Sequence, residues 1–143
     1  MLSAYNTLAG LPCPAANVIA EIGGTTKFAT DAVNVYCTAG AVLGVTGDLT
    51  LDGLGNENAV FVFQSPAESM VTAGRVLLQN GAKAKNVYWV IGTSATLGVS
   101  SQIQGNILAN ISITLVDGAT LLGRALAHTG AVTMGANNVI NLP

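Results

Sequence analysis

The sequence predicts a mainly β fold, a three-sided β-solenoid (β-helix) preceded by a short helical segment. Three observations support this prediction: short and evenly spaced β-favouring runs, a sequence period near 18 residues, and alternation of apolar and polar residues within each repeat. After Gly40, runs rich in Val, Ile, Thr and Leu are separated by Gly, Asn and Ser, a pattern typical of strands joined by tight corners. At 143 residues the chain has the length of a single domain.

The clearest repeat lies in the C-terminal half. The segment Ser94–Leu97 reads SATL, and it recurs as SITL from Ser112 and as AVTM from Ala131, at offsets of 18 and 19 residues. A second segment, GNILA from Gly105, recurs as GRALA from Gly123 with an offset of 18. Because two different segments share one period, we expect stacked coils, each with three short strands and three corners.

Alternation assigns these repeated residues to the inside or the outside of the solenoid. In the first copy, Ala95 and Leu97 are predicted to point inward, while Ser94 and Thr96 point outward. The next two copies follow the same rule. One side of the solenoid is therefore predicted to carry rows of small and hydroxyl-bearing side chains, which we call the Ser/Thr/Ala face.

A second side is expected to be apolar on both of its surfaces. The runs 59–63 and 87–91 lack polar alternation, so a helix is expected to cover them from outside. The helical candidate is Leu2 to Leu8, ended by Gly10 and Pro12, and its two turns can cover only part of that side. Since the chain opens straight into this segment, any signal peptide is expected to have been removed.

Composition and charge exclude several partners. Only 8% of the residues are charged, the net charge is −2, and the five basic residues are scattered, so we expect no nucleic-acid partner. The longest apolar runs are far shorter than the roughly 18 residues that a membrane helix requires, so no membrane insertion is expected.

Catalysis and metal binding are the competing classes of chemistry. His128 is the sole histidine and is expected to be a solvated corner residue without a role. Asp48 and Asp52 share a side, as in some carboxylate pairs of glycosidases and lyases, but their neighbours are Leu, Thr and Gly. The loop 52–58 is rich in oxygen ligands yet lacks the spacing of a calcium loop. We therefore expect no catalytic residue, no metal and no cofactor.

The two cysteines, Cys13 and Cys37, allow three interpretations: one disulfide, two free thiols, or metal ligands that lack partners. The disulfide is favoured because zinc would need further Cys or His ligands.

The order and spacing of several sequence blocks carry a resemblance. The blocks are Val35–Cys37, Leu49–Asp52, Gly55-Asn56, Asn58–Gln64, Asn86–Trp89, Gly92–Gly98, Gln104–Ala109 and Gly123–Ala127. They resemble the microbial ice-binding (antifreeze) protein family, whose fold is a discontinuous three-sided β-solenoid with one long helix alongside. Ala4-Tyr5-Asn6 resembles the end of that helix. The resemblance thus implies that the chain is truncated at its N-terminus relative to a family domain, without the early coils and most of the helix.

The resemblance also implies a function. It indicates a secreted or cell-surface, non-catalytic protein of cold adaptation that adsorbs to ice crystals and inhibits their growth and recrystallisation. Strands about 4.8 Å apart, with same-side residues about 6.7 Å apart along each strand, form a grid on the scale of water spacings in ice. The resemblance and the alternation together select the following ice-binding residues: Thr72, Ser94, Thr96, Ser112, Thr114, Ala131 and Thr133.

Two further expectations accompany this interpretation. The alternative function is a non-catalytic structural or adhesive module that binds a cell surface or a polysaccharide. The resemblance implies that the helix covers a side carrying Phe61, Phe63 and Trp89, so a shortened helix would leave these rings available for self-association. The expected layout is a helix remnant at 1–10, a connecting segment at 11–34 and solenoid coils at 35–143.

Overall fold

Stacked coils are the organising feature of the fold. The computed structural model describes residues 2–20, 22–23, 25–40 and 42–143. Within these residues, fifteen strands pair in parallel and form two sheets. Thr96 lies beside Thr114, and Thr114 lies beside Thr133, so the period in the sequence is the distance along the chain from one coil to the next. The predicted three-sided β-solenoid is confirmed.

The Ser/Thr/Ala face is a five-stranded sheet in the order β14-β12-β10-β7-β4. In each of its strands the first and last residues point inward and the central residue points outward, apart from the C-terminal strand β14, whose inward residues are exposed at the end of the stack. The strands of this face are β4 (Leu43–Val45), β7 (Met70–Thr72), β10 (Ala95–Leu97), β12 (Ile113–Leu115) and β14 (Val132–Met134).

The other two sides belong to one ten-stranded sheet that bends around a corner. The helix-covered side contains β1 (Val18–Ile19), β3 (Val33–Thr38), β6 (Val60–Ser65), β9 (Val87–Ile91) and the C-terminal halves of β11 (Gln102–Ala109) and β13 (Thr120–Ala127). The third side contains β2 (Thr25–Ala29), β5 (Asp48–Asp52), β8 (Arg75–Gln79), the N-terminal halves of β11 and β13, and β15 (Val139–Asn141).

Glycine makes the shared strands β11 and β13 turn this corner. Gly105 and Gly123 lie side by side with φ of +121° and +154°, a conformation that side chains disfavour. A Cβ atom on Gly123 would also collide with the carbonyl group of Gly105. Both glycines are therefore required for two long strands to stack while bending.

The coils become smaller along the chain. Asp48 and Arg75 occupy equivalent positions 27 residues apart, whereas Ser94 and Ser112 are 18 apart. The larger coils spend their additional residues on the corners at 53–59 and 80–86, which β11 and β13 pass without interruption. The repeat is therefore clear in the later coils and stretched in the earlier ones.

Aromatic rings fill the interior of the larger coils. Tyr36, Phe63 and Trp89 form a stack, with ring centroids 5.2 Å apart between Tyr36 and Phe63 and 4.4 Å apart between Phe63 and Trp89. Phe61, Phe63 and Trp89 are fully buried. The expectation that these three rings form a surface for self-association is therefore wrong: they point into the core, and other side chains of the same strands point outward.

The predicted helix is confirmed as α1 (Leu2–Ala9). Tyr5 and Leu8 pack on the outward valines Val62 and Val90, which explains why these strands are apolar on both surfaces. The side-chain amide of Gln64 donates hydrogen bonds to the carbonyl oxygens of Leu8 and Leu11, at 2.7 and 3.1 Å. These carbonyls have no partner within the helix, so Gln64 fastens the helix end to the sheet. Within the described residues no helix is long and apolar enough to cross a bilayer.

Regular solenoid structure starts earlier than residue 35. Strands β1 and β2 lie in the expected connecting segment, yet they pair with β3 and β5. The favoured interpretation of the cysteines is confirmed, because Cys13 and Cys37 form a disulfide that ties the segment after the helix to β3. Met1, the first residue of the expected helix remnant, lies outside the described residues.

Candidate functional site

Three threonines form the central row of the Ser/Thr/Ala face. Thr96, Thr114 and Thr133 are direct neighbours in consecutive parallel strands. Each lies between two inward-pointing apolar residues, so alternation orients all three side chains outward. The sequence therefore predicted their common row correctly.

A second row runs along the edge of the same face, through Ser94, Ser112 and Ala131. The hydroxyl oxygen of Ser94 accepts a hydrogen bond from the backbone N–H of Ser112 at 3.2 Å, and the hydroxyl oxygen of Ser112 accepts one from Ala131 at 3.4 Å. These serines join successive coils at the corner. Each hydroxyl keeps its own hydrogen available for a donor interaction with solvent.

Thr72 does not belong to this face, so the expectation for this residue is wrong. It pairs with the inward Leu97, only 1% of its side chain is exposed, and its hydroxyl donates to Ser101 Oγ at 3.0 Å. The outward residue of the same strand is Val71, the direct neighbour of Thr96, with 46% exposure. Sequence reasoning selected the hydroxyl; a strict application of the alternation rule to Met70, Val71 and Thr72 would have selected the valine.

The face ends in a hollow beyond Val71. The next residue in the central row is Gly44, which has no side chain. A shallow recess of about 340 Å³ lies there, lined by Ala20, Val42, Gly44, Thr46 and Val71. The central row therefore changes along the stack, from three threonines through a valine to a recess.

Charged side chains lie on the third side, where they neutralise one another. Arg75 donates from Nε and Nη2 to the two carboxylate oxygens of Asp48, at 2.7 and 2.9 Å. Lys27 Nζ lies 2.8 Å from Asp52 Oδ2. The central positions of β4, β7, β10, β12 and β14 carry no charge, so the face presents hydroxyl and methyl groups to water.

The two carboxylates considered for catalysis are held by these contacts. Hydrogen bonding from Arg75 lowers the pKa of Asp48 below its ordinary value. Lys27, followed by the backbone N–H of Leu54, lowers the pKa of Asp52 far below its ordinary value, despite the opposing effect of burial. Neither carboxyl can hold a proton near neutral pH, so neither can serve as a general acid.

The remaining polar candidates have structural partners. His128 is exposed at a corner, with Nδ1 3.2 Å from Asn110 Oδ1. In the loop 52–58, Asp52 Oδ1 accepts a hydrogen bond from Leu54, and Glu57 pairs with Lys83 at 3.0 Å. Across the described ranges, no three His, Cys, Asp or Glu residues cluster closely enough to hold a metal ion.

Stacked parallel coils, a lateral helix and one side with uncharged hydroxyl rows define the class of this protein, a three-sided β-solenoid with a regular contact surface. The sequence profile of the Ice-binding-like family matches residues 1–140. The chain belongs to this Ice-binding-like family.

Relatives and solved structures are similar over nearly the whole chain. The ice-binding protein of Nostoc sp. (strain HG1) is 42% identical over 140 residues, which make up 97% of this chain and 50% of that protein. The crystal structure of the ice-binding protein from the Antarctic ascomycete Antarctomyces psychrotrophicus has a TM-score of 0.87 at 38% identity, over 99% of this chain and 68% of that chain. The Shewanella frigidimarina ice-binding protein 1 domain has a TM-score of 0.83 at 32% identity, over 98% and 59% of the two chains. This chain thus spans half the length of the Nostoc protein.

Proposed function

We propose that this chain adsorbs to ice through the Ser/Thr/Ala face and thereby inhibits ice growth and recrystallisation without catalysis. One observation carries the proposal: Thr96, Thr114 and Thr133 are aligned in register on consecutive strands of a sheet without charge in its central row. Family membership and the names of the relatives support it.

The physical basis is a match of spacing and rigidity. Parallel strands hold the three hydroxyl and methyl groups about 4.8 Å apart along the stack. Hydroxyl groups held at fixed positions hydrogen-bond to ordered water, and a rigid β-branched threonine loses little conformational entropy on binding. An adsorbed solenoid blocks addition of water at its footprint, so the crystal can grow only between adsorbed molecules.

We propose further that the protein acts outside the cell or at its surface, where it can meet ice. The disulfide between Cys13 and Cys37 supports this location, since disulfides persist in oxidising compartments.

The decisive experiment is Thr114→Tyr, because Thr114 lies in the middle of the row of three. Its matched control is Thr120→Tyr, which makes the same change at an outward, half-buried position of the third side. We expect Thr114→Tyr to lose most of its thermal hysteresis and its incorporation into a growing ice front. Thr120→Tyr should keep both activities, and circular dichroism should show both variants folded.

The outcomes separate ice adsorption from the adhesive alternative. A folded Thr114→Tyr variant with full incorporation into ice would contradict the proposal. A wild-type chain that binds no ice yet adheres to polysaccharide, before and after this substitution, would favour an adhesive module.

A further inference from the structure

Val71 occupies the same position on its strand as the threonines do on theirs. It is the direct neighbour of Thr96 on one side and of Gly44 on the other. Met70 and Thr72, which flank it, are buried, whereas 46% of the Val71 side chain is exposed. The central row of the face therefore reads Gly44, Val71, Thr96, Thr114, Thr133.

Valine is close to threonine in shape and differs by a methyl group in place of the hydroxyl. Val71 therefore continues the profile of the threonine row with the same branching at Cβ, but it cannot hydrogen-bond to water. Methyl groups contribute to a flat contact by excluding disordered water, so this position extends the surface without an anchoring hydroxyl.

The recess over Gly44 interrupts the surface immediately beyond Val71. Val71 itself forms part of the wall, together with Ala20, Val42 and Thr46. A planar crystal surface that contacts Val71 would pass over this hollow of about 340 Å³ without touching its floor.

We propose that Val71 is the terminal row of the ice-contacting surface and that the recess over Gly44 is its boundary. The inference rests on the proposed ice adsorption and adds a fourth row to the three threonines. Four rows extend over about 14 Å along the stack, from strand spacings of about 4.8 Å. Val71 sets the length of this surface, and its missing hydroxyl limits adsorption.

The experiment compares substitutions at Val71 with a control in the same coil. Leu77 is the control, because it is an outward aliphatic residue of β8 on the third side, with 37% exposure. Val71→Lys should lower thermal hysteresis and incorporation into ice at least twofold, because a hydrated ammonium group would stand in the contact. Leu77→Lys should leave both unchanged. Val71→Thr should raise thermal hysteresis, because it adds an anchoring hydroxyl in register with Thr96.

Each result decides the inference. Equal activity of Val71→Lys and Leu77→Lys, or a Val71→Thr variant without a gain, would overturn it. If Val71→Lys fails to fold, the comparison of Val71→Thr with the wild-type chain decides alone. If Thr114→Tyr abolishes ice binding while Val71→Lys has no effect, the proposed function stands and the fourth row fails. If neither substitution has an effect, both fail.

Discussion

Asp52 is a buried charged residue that connects three coils of the third side. Its Oδ2 atom accepts from Lys27 at 2.8 Å, from Gln79 at 3.1 Å and from Asn80 at 3.0 Å, while Oδ1 accepts from the backbone of Leu54 at 2.8 Å. Only 4% of its side chain is exposed. A buried carboxylate is stable in the folded protein when its oxygens are satisfied in this way.

Asp52→Asn is expected to lower the melting temperature by several degrees. The amide nitrogen would face donors at the position of Oδ2, where an acceptor is required, and the ion pair with Lys27 would be lost. Thermal unfolding followed by circular dichroism measures the effect, with Asp31→Asn at an exposed turn position as the control.

The same substitution tests the pH dependence. Because folding lowers the pKa of Asp52, its carboxylate stabilises the folded state fully above about pH 4, the ordinary range of this group. The stabilisation is lost as the pH falls below that range towards the lower folded pKa. The difference in melting temperature between wild type and Asp52→Asn should therefore shrink on acidification; a difference that stays constant down to pH 2 would contradict this assignment.

At single positions, the sequence predicted orientation well where polarity alternates and poorly where it does not. Ser94 and Thr96 were placed correctly because apolar residues separate them. Thr72 was misplaced because its hydroxyl resembles the later threonines, although it is the buried partner of Ser101. The inward direction of Phe61 could not be derived from a run in which every residue is apolar, since alternation then has no contrast.

At the scale of elements, α1 and the segment after it are fastened by few contacts. The helix packs through Tyr5 and Leu8, Gln64 holds its carboxyl end, and the disulfide between Cys13 and Cys37 ties the following segment to β3. The sequence predicted the helix and the need for an outer cover, because apolar runs on both surfaces of a strand require one. It could not predict Gln64 as the anchor, since a lone amide in an apolar strand has no pattern.

The disulfide is expected to matter more for stability than for ice binding. It closes a loop with a sequence separation of 24, and loop-closure entropy gives a stabilisation on the order of 3 kcal/mol. The double substitution Cys13→Ser and Cys37→Ser should lower the urea midpoint accordingly and should leave thermal hysteresis unchanged at 0 °C, where the protein remains folded. Reduction of the wild type should have the same effect on the midpoint; a reduced protein as stable as the oxidised one would contradict the expectation.

For the whole molecule, the sequence revealed the stacking but not the full extent of the solenoid. The later coils repeat every 18 or 19 residues, so their period is visible by inspection. The earlier coils contain long corners at 53–59 and 80–86, which stretch the period to 27 residues and hide the relation between β2, β5 and β8. The start of the solenoid was therefore placed at residue 35 although β1 and β2 already belong to it.

Because each coil contacts mainly its neighbours, removal of one whole coil should leave a folded and less active protein. Deletion of residues 103–120 joins Gln102 to Leu121, which continues in the register of the deleted Ile103 and restores a glycine at the corner, Gly123 in place of Gly105. The shortened chain should keep its parallel-sheet circular dichroism but lose the row of Thr114, so that thermal hysteresis falls at least twofold. Insertion of a second copy of 103–120 should raise it. If activity stayed the same in both directions while the chains remained folded, the number of aligned rows could not be what determines adsorption.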